Sequence, residues 1–111
     1  MKAWEILSRP EKWTHGTMYK DQLGNEVLTY AYNTGDYEMD RPVPMKPEAV
    51  FACCAVGALG LAYDDEGYIK ARRKLMDNLK KTGHHCSPYI YTWNDLATYE
   101  QVYNKLKELD L

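Results

Sequence analysis

From Ala49 to Ala62 the chain reads Ala-Val-Phe-Ala-Cys-Cys-Ala-Val-Gly-Ala-Leu-Gly-Leu-Ala, a run with no polar face. A helix that is apolar all round must be enclosed by protein. The run is too short to cross a bilayer, so the enclosure has to come from the rest of the chain. Pro47 suits a first helical turn, with Glu48 beside it at the positive end of the dipole. Most of the residues are small, and Cys53 and Gly57 sit four apart on one helical face. Gly57 and Gly60 each cost about 1 kcal/mol of helix propensity relative to Ala, a cost that close backbone approach offsets. The sequence therefore predicts a central buried helix over 49–62 with other elements packed on every side.

Those elements are readable in outline. Trp4 and Leu7 lie at helical spacing in the first segment. Ser8-Arg9-Pro10-Glu11 has capping-box spacing and predicts a short second helical turn that carries Trp13 to the core, stopped by Gly16. Met18–Lys20 and Val27–Tyr30 are rich in β-formers and flank the turn-rich stretch Asp21–Asn25, which predicts a β-hairpin. Arg41 to Pro47 holds three prolines, and each biases its predecessor away from helix, so this segment is expected to be an extended connector. Asp64 and Asp65 are placed to cap a helix over 66–81, with Tyr68, Arg72, Leu75, Met76 and Leu79 on one face and Gly83 as its stop. Tyr89–Thr92 is expected to be a short strand joining the hairpin. Thr98 and Gln101 form a capping box for a last helix that turns Tyr99, Val102, Tyr103, Leu106 and Leu109 inward.

The whole is expected to be an α+β domain spanning 1–111, with about four helices around the buried one and a small antiparallel sheet. Net charge is −2, so no basic excess attracts a phosphate backbone and nucleic-acid binding is disfavoured. Three cysteines, two of them adjacent at Cys53 and Cys54, make a poor disulfide framework and predict reduced thiols in a cytoplasmic setting. The N-terminus lacks a signal-peptide pattern, and no membrane role is expected. Aromatic usage is lopsided, with 10 Tyr and 3 Trp against 1 Phe. Tyr and Trp join apolar area to a polar tip, which suits the rim of a small core and equally suits a protein-binding surface.

Three short motifs stand in order: Trp13-Thr14-His15-Gly16, Cys54-Ala55-Val56-Gly57-Ala58, and Trp93-Asn94-Asp95. In this the chain resembles a family of small bacterial and phage proteins of unknown function. The resemblance covers most of the chain, leaves the stretch from Thr34 to Lys46 without a counterpart, and brings no activity with it. It draws attention to Trp13, Cys54, Trp93, Asn94 and Asp95.

Each constellation has a plain structural reading beside the functional one. Cys53, Cys54, His84, His85 and Cys86 have the donor types of a zinc site. They lack a Cys-x-x-Cys pair, so buried thiols and a solvated His-His loop are favoured, and no metal or cofactor is expected. Cys54 with His15, His84 or His85 as base, oriented by Asn94 or Asp95, would make a nucleophile. Two turns inside an apolar helix, however, burial would raise its pKa. Trp93-Asn94-Asp95 reads first as a core aromatic with loop-tying polar groups, and second as the lining of a pocket walled by Trp93 and Trp13. Phosphate-binding loops and paired catalytic carboxylates are absent. A non-enzymatic protein that engages a protein partner is the leading expectation. The second is a small-molecule binder or cryptic enzyme with a pocket near Trp13, His15, Cys54, Asn94 and Asp95.

Overall fold

The computed structural model describes residues 1–32, 41–82 and 90–111. Its helices are α1 (Ala3–Ile6), α2 (Ala55–Ala62), α3 (Asp65–Lys81), α4 (Ile90–Leu96) and α5 (Tyr99–Glu108). The strands are β1 (Tyr19–Lys20), β2 (Thr29–Tyr32), β3 (Arg41–Pro44) and β4 (Ala52–Cys53), and 3₁₀ turns run over Pro10–Lys12 and Pro47–Ala49. This is an α+β arrangement with α2 at its centre, in contact with α1, α3, α4, β3 and β4. Every residue of α2 from Ala55 to Gly60 is buried.

The central helix is shorter than its apolar run. It begins at Ala55, and the residues before it form a 3₁₀ turn and a strand. β4 pairs antiparallel with β1, with Tyr19 opposite Cys53 and Lys20 opposite Ala52. Phe51 N–H donates to the Lys20 carbonyl at 2.8 Å and Cys54 N–H to that of Met18 at 3.0 Å. A run without a polar face carries no periodicity to separate buried helix from buried strand. The waiting carbonyls of β1 decide it, because buried backbone donors must be paired.

The expected hairpin is also redistributed. Asp21 makes the turn: its carboxylate accepts from Leu23 N–H and Asn25 N–H, and Gly24 takes φ +85°. Val27 N–H still donates to the Tyr19 carbonyl at 2.9 Å. The ladders, however, go elsewhere, β1 to β4 and β2 to β3. The proline-rich segment expected as a connector supplies β3, which pairs antiparallel with β2 from Thr29 opposite Pro44 to Tyr32 opposite Arg41. Proline tolerates an extended backbone and a strand that gives up some of its donors, as in a two-stranded ribbon.

Two glycines let α2 sit tight. A Cβ on Gly57 would lie 2.7 Å from the Met18 carbonyl and 2.9 Å from the Tyr19 ring, and one on Gly60 would lie 2.7 Å from the Pro42 carbonyl. Tyr19 is fully buried between them. Its hydroxyl lies 3.0 Å from the Pro42 carbonyl and 3.1 Å from that of Gly57, joining β1, β3 and α2.

Helices α3 and α5 follow the sequence closely. Asp64 caps α3 by accepting from Gly67 N–H at 2.8 Å, and Tyr68, Arg72, Leu75, Met76 and Leu79 are buried as expected. Thr98 and Gln101 close the capping box of α5 from both sides. Val102 and Leu106 are buried, with Tyr99 and Leu109 packed against the core. By contrast, the first capping-box spacing is not used: Pro10–Lys12 is a 3₁₀ turn whose N-cap, Arg9, makes no side-chain capping bond. The strand expected at Tyr89–Thr92 is corrected as well. Ile90 to Leu96 is helical, which places Trp93-Asn94-Asp95 on α4 instead of in a loop. Tyr89, Gly83 and the His84-His85-Cys86 segment lie outside the described residues. Among the described residues no helix is long and apolar enough to cross a membrane.

Candidate functional site

The three motifs meet at Asn94. α4 packs on α2 and buries Asn94 to 1% exposure. An amide has two acceptor lone pairs and two donors, and here all are engaged. Oδ1 accepts from Trp13 Nε1–H and from Ala55 N–H, each at 2.9 Å. Nδ2 donates to the Thr14 carbonyl at 3.2 Å and to Asp95 Oδ1 at 3.3 Å. Asp95 Oδ1 in turn accepts from Gly16 N–H at 3.0 Å. Gly16, at φ +81°, is in the left-handed region that favours glycine. So the first motif supplies an indole donor, a carbonyl and an amide, the second supplies the first N–H of α2, and the third holds them together.

Cys54 sits at the N-cap of α2, not two turns inside it as the longer helix would have had it. Its backbone is extended and its Sγ accepts from Gly57 N–H at 3.4 Å, with Met18 Sδ 3.5 Å away. Amides at a helix N-terminus favour a thiolate, whereas burial disfavours it. Burial wins: the Cys54 thiol is pushed up to about 11, with the Gly57 and Val56 amides pulling only part of the way back. Cys53, also buried, is raised by desolvation too. His15 does not supply a base in the cleft described next. It is exposed, and its ring lies 5.5 Å from that of Trp13. Trp93 is a core residue at 9% exposure.

A cleft of about 320 Å³ opens over this junction, lined by Gly16, Thr17, Met18, Glu26, Cys54, Tyr91, Asn94 and Asp95. Of the six singled-out residues, the structure brings Cys54, Asn94 and Asp95 into the lining and leaves Trp13, His15 and Trp93 out of it. Glu26 and Tyr91 went unnoticed in the sequence, since nothing local marks a turn glutamate or a helical tyrosine as facing a distant element. Tyr91 is positioned by Arg72, which is buried to 4% exposure. The guanidinium stands 5.7 Å from the Tyr91 ring and donates to the Tyr68 hydroxyl at 2.7 Å. Among the described residues no group of three His, Cys, Asp or Glu side chains is arranged to hold a metal ion.

A second feature runs along the outside. Trp4 meets Tyr103 edge-on at 6.4 Å, Tyr103 stacks on Tyr99 at 5.7 Å, Tyr99 lies 6.4 Å from Trp13, and Trp13 carries His15. Lys107 closes the far end, over Trp4 and Tyr103. The tryptophans and tyrosines of this ribbon are half-buried. The four-residue spacing of Tyr99 and Tyr103 on α5 is legible in the sequence. That Trp4 and Trp13 extend their line is decided by α1 docking on α5 and by the Tyr99 hydroxyl donating to the Leu7 carbonyl at 2.6 Å.

The fold and the convergent motifs define a small α+β protein organised around one buried helix, with its polar signature residues turned on one another. The family of unknown function DUF6197 matches residues 1–109, and the chain belongs to it. No curated protein and no solved structure matches the chain.

Proposed function

We propose that this protein is a non-enzymatic interaction protein that presents the ribbon Trp4, Tyr103, Tyr99, Trp13 and His15 to a protein partner. The observation that carries the reading is the ribbon itself: half-buried Trp and Tyr rings in a row are the side chains that anchor protein interfaces. Of the described tyrosine side chains only Tyr19 and Tyr68 are buried; Tyr63, Tyr99 and Tyr103 are half-buried and Tyr91 is exposed. Two further points support it. The amide of Asn94 is fully used in structure, and the thiol of Cys54 is held protonated near neutral pH, which leaves little for nucleophilic chemistry. The resemblance to bacterial and phage proteins makes a host protein the partner class, with this chain as an accessory factor. The buried free thiols of Cys53 and Cys54 suit a cytoplasmic location.

The test is site-specific photo-crosslinking in the expressing cell, with the photoreactive residue at Tyr103 and, as a control, at exposed Leu23. The expected result is a discrete adduct from position 103 that disappears with Trp4→Ser. Equal adducts from both positions, or none from 103, would remove the ribbon as the interface. The cleft favours a second reading, a small-molecule site at Cys54, Asn94 and Asp95.

A further inference from the structure

The cleft's charge is one-sided. Its described lining holds two carboxylates, Glu26 and Asp95, and no lysine, arginine or histidine. Neither carboxylate is ion-paired with another described residue. Thr17, in the same lining, keeps its hydroxyl oxygen shielded from solvent and without a hydrogen-bond partner among the described residues. Two of the nitrogen donors that border the cleft are already engaged. Asn94 Nδ2 is committed to Thr14 and Asp95, and Gly16 N–H to Asp95. Cys54 offers only a weak S–H donor. Met18 and the Tyr91 ring supply apolar wall beside these acceptors.

We infer that the cleft binds a small organic cation, a guanidinium or primary ammonium on a short alkyl stem. The inference rests on the small-molecule reading and is independent of the aromatic ribbon. A group rich in N–H donors and carrying positive charge is what a site with two carboxylates and no cation in its described lining complements. A guanidinium offers its donors in a planar fork that matches a carboxylate, and charge-assisted bonds are the strong ones. A volume of about 320 Å³ lies at the lower end for ligand sites and suits a molecule of a few carbons. An anion would meet the two carboxylates, and a neutral apolar ligand would leave their fields unanswered. The site is built on secondary structure: Asp95 is on α4, and Glu26 is held at the turn by its backbone bridge to Lys20.

The experiment is a titration of the ¹⁵N-labelled full chain with agmatine, and in parallel with neutral N-butylurea, followed through the amide resonances of Gly16, Thr17 and the Asn94 side chain. The expected result is saturable shifts with agmatine, binding of N-butylurea about tenfold weaker or less, and a similar loss of agmatine affinity in Glu26→Gln. Glu26 is exposed on a turn, so this variant keeps the fold, and its unbound spectrum verifies that. N-butylurea binding as well as agmatine, or agmatine indifferent to Glu26→Gln, would overturn the cation and leave a ligand cleft of another class. No saturable shift with either probe would overturn the inference and the small-molecule reading together.

Discussion

Asn94 does what neither an aliphatic nor an acidic residue at its place would do, because it accepts twice and donates twice inside the protein. Replacing it by leucine orphans the Trp13 indole N–H, the Ala55 amide and the Thr14 carbonyl, and a buried orphan costs about 1–3 kcal/mol. Asn94→Leu is therefore expected to lose about 3–5 kcal/mol in urea unfolding. Asp95→Asn, which retains an acceptor for Gly16, should stay within about 1 kcal/mol of the parent. Cys54 is the second telling residue. With its thiol at about 11, only about one molecule in ten thousand carries the thiolate at pH 7. Alkylation of folded protein by iodoacetamide should accordingly be slow at pH 8 and accelerate as pH climbs toward 11, read by mass spectrometry. Because its task is to cap α2, Cys54→Ser should change stability by no more than about 1 kcal/mol, as serine is a preferred cap.

At the scale of elements, α2 shows why small residues were placed in a helix that pays propensity for them. Gly57→Ala gains about 1 kcal/mol of propensity. It also drives a methyl to within 2.7 Å of the Met18 carbonyl and 2.9 Å of the Tyr19 ring, which is backbone and a fully buried side chain. Overpacking of that kind costs typically about 1–3 kcal/mol, so both Gly57→Ala and Gly60→Ala are expected to lower the melting temperature in a thermal scan. α3 and α5 were legible because their signals are local: a cap, an apolar stripe and terminal charges within one segment. The start of α2 was not, since residues 51–54 take their partners from β1, thirty-odd positions away by the pairing of Tyr19 with Cys53. Likewise Tyr89–Thr92 carries the β-formers of a strand, whereas the helicity of Ile90–Leu96 is secured by docking on α2.

For the molecule as a whole, the titrating groups that matter are buried and neutral. Tyr19, Tyr68, Cys53 and Cys54 are all raised, with desolvation the first cause in each, Tyr68 to about 12. Their ordinary values are 10.0 for tyrosine and 9.0 for cysteine. When the unfolded chain gives up these protons and the folded chain keeps them, the unfolded state is favoured. The stability these groups contribute is thus fully present below about pH 8 and is lost as pH rises. The expected profile is level through neutrality, begins to fall near pH 9 as the thiols ionise in the unfolded chain, and steepens above pH 10 with the tyrosines. Urea unfolding from pH 7 to 11 checks it, and Cys54→Ser should lessen the first part of the fall.

The sequence by itself determined most of the residues that go inside, with Leu61 and Tyr103 as exceptions, the bounds and caps of α3 and α5, the turn at Asp21, and the three motifs, since each is written in the spacing of neighbours along the chain. It determined less about the candidate site: Cys54, Asn94 and Asp95 were singled out, but not Glu26 or Tyr91 beside them. Only the tertiary structure decided that 52–54 is strand and cap, that Trp93-Asn94-Asp95 rides on a helix, and which strands pair. The reason is the same in each case. A backbone or amide group is satisfied by whichever partner the packing brings within about 3 Å, and for Asn94 those partners are Trp13, Thr14 and Ala55, carried to it by separate elements that no local pattern connects.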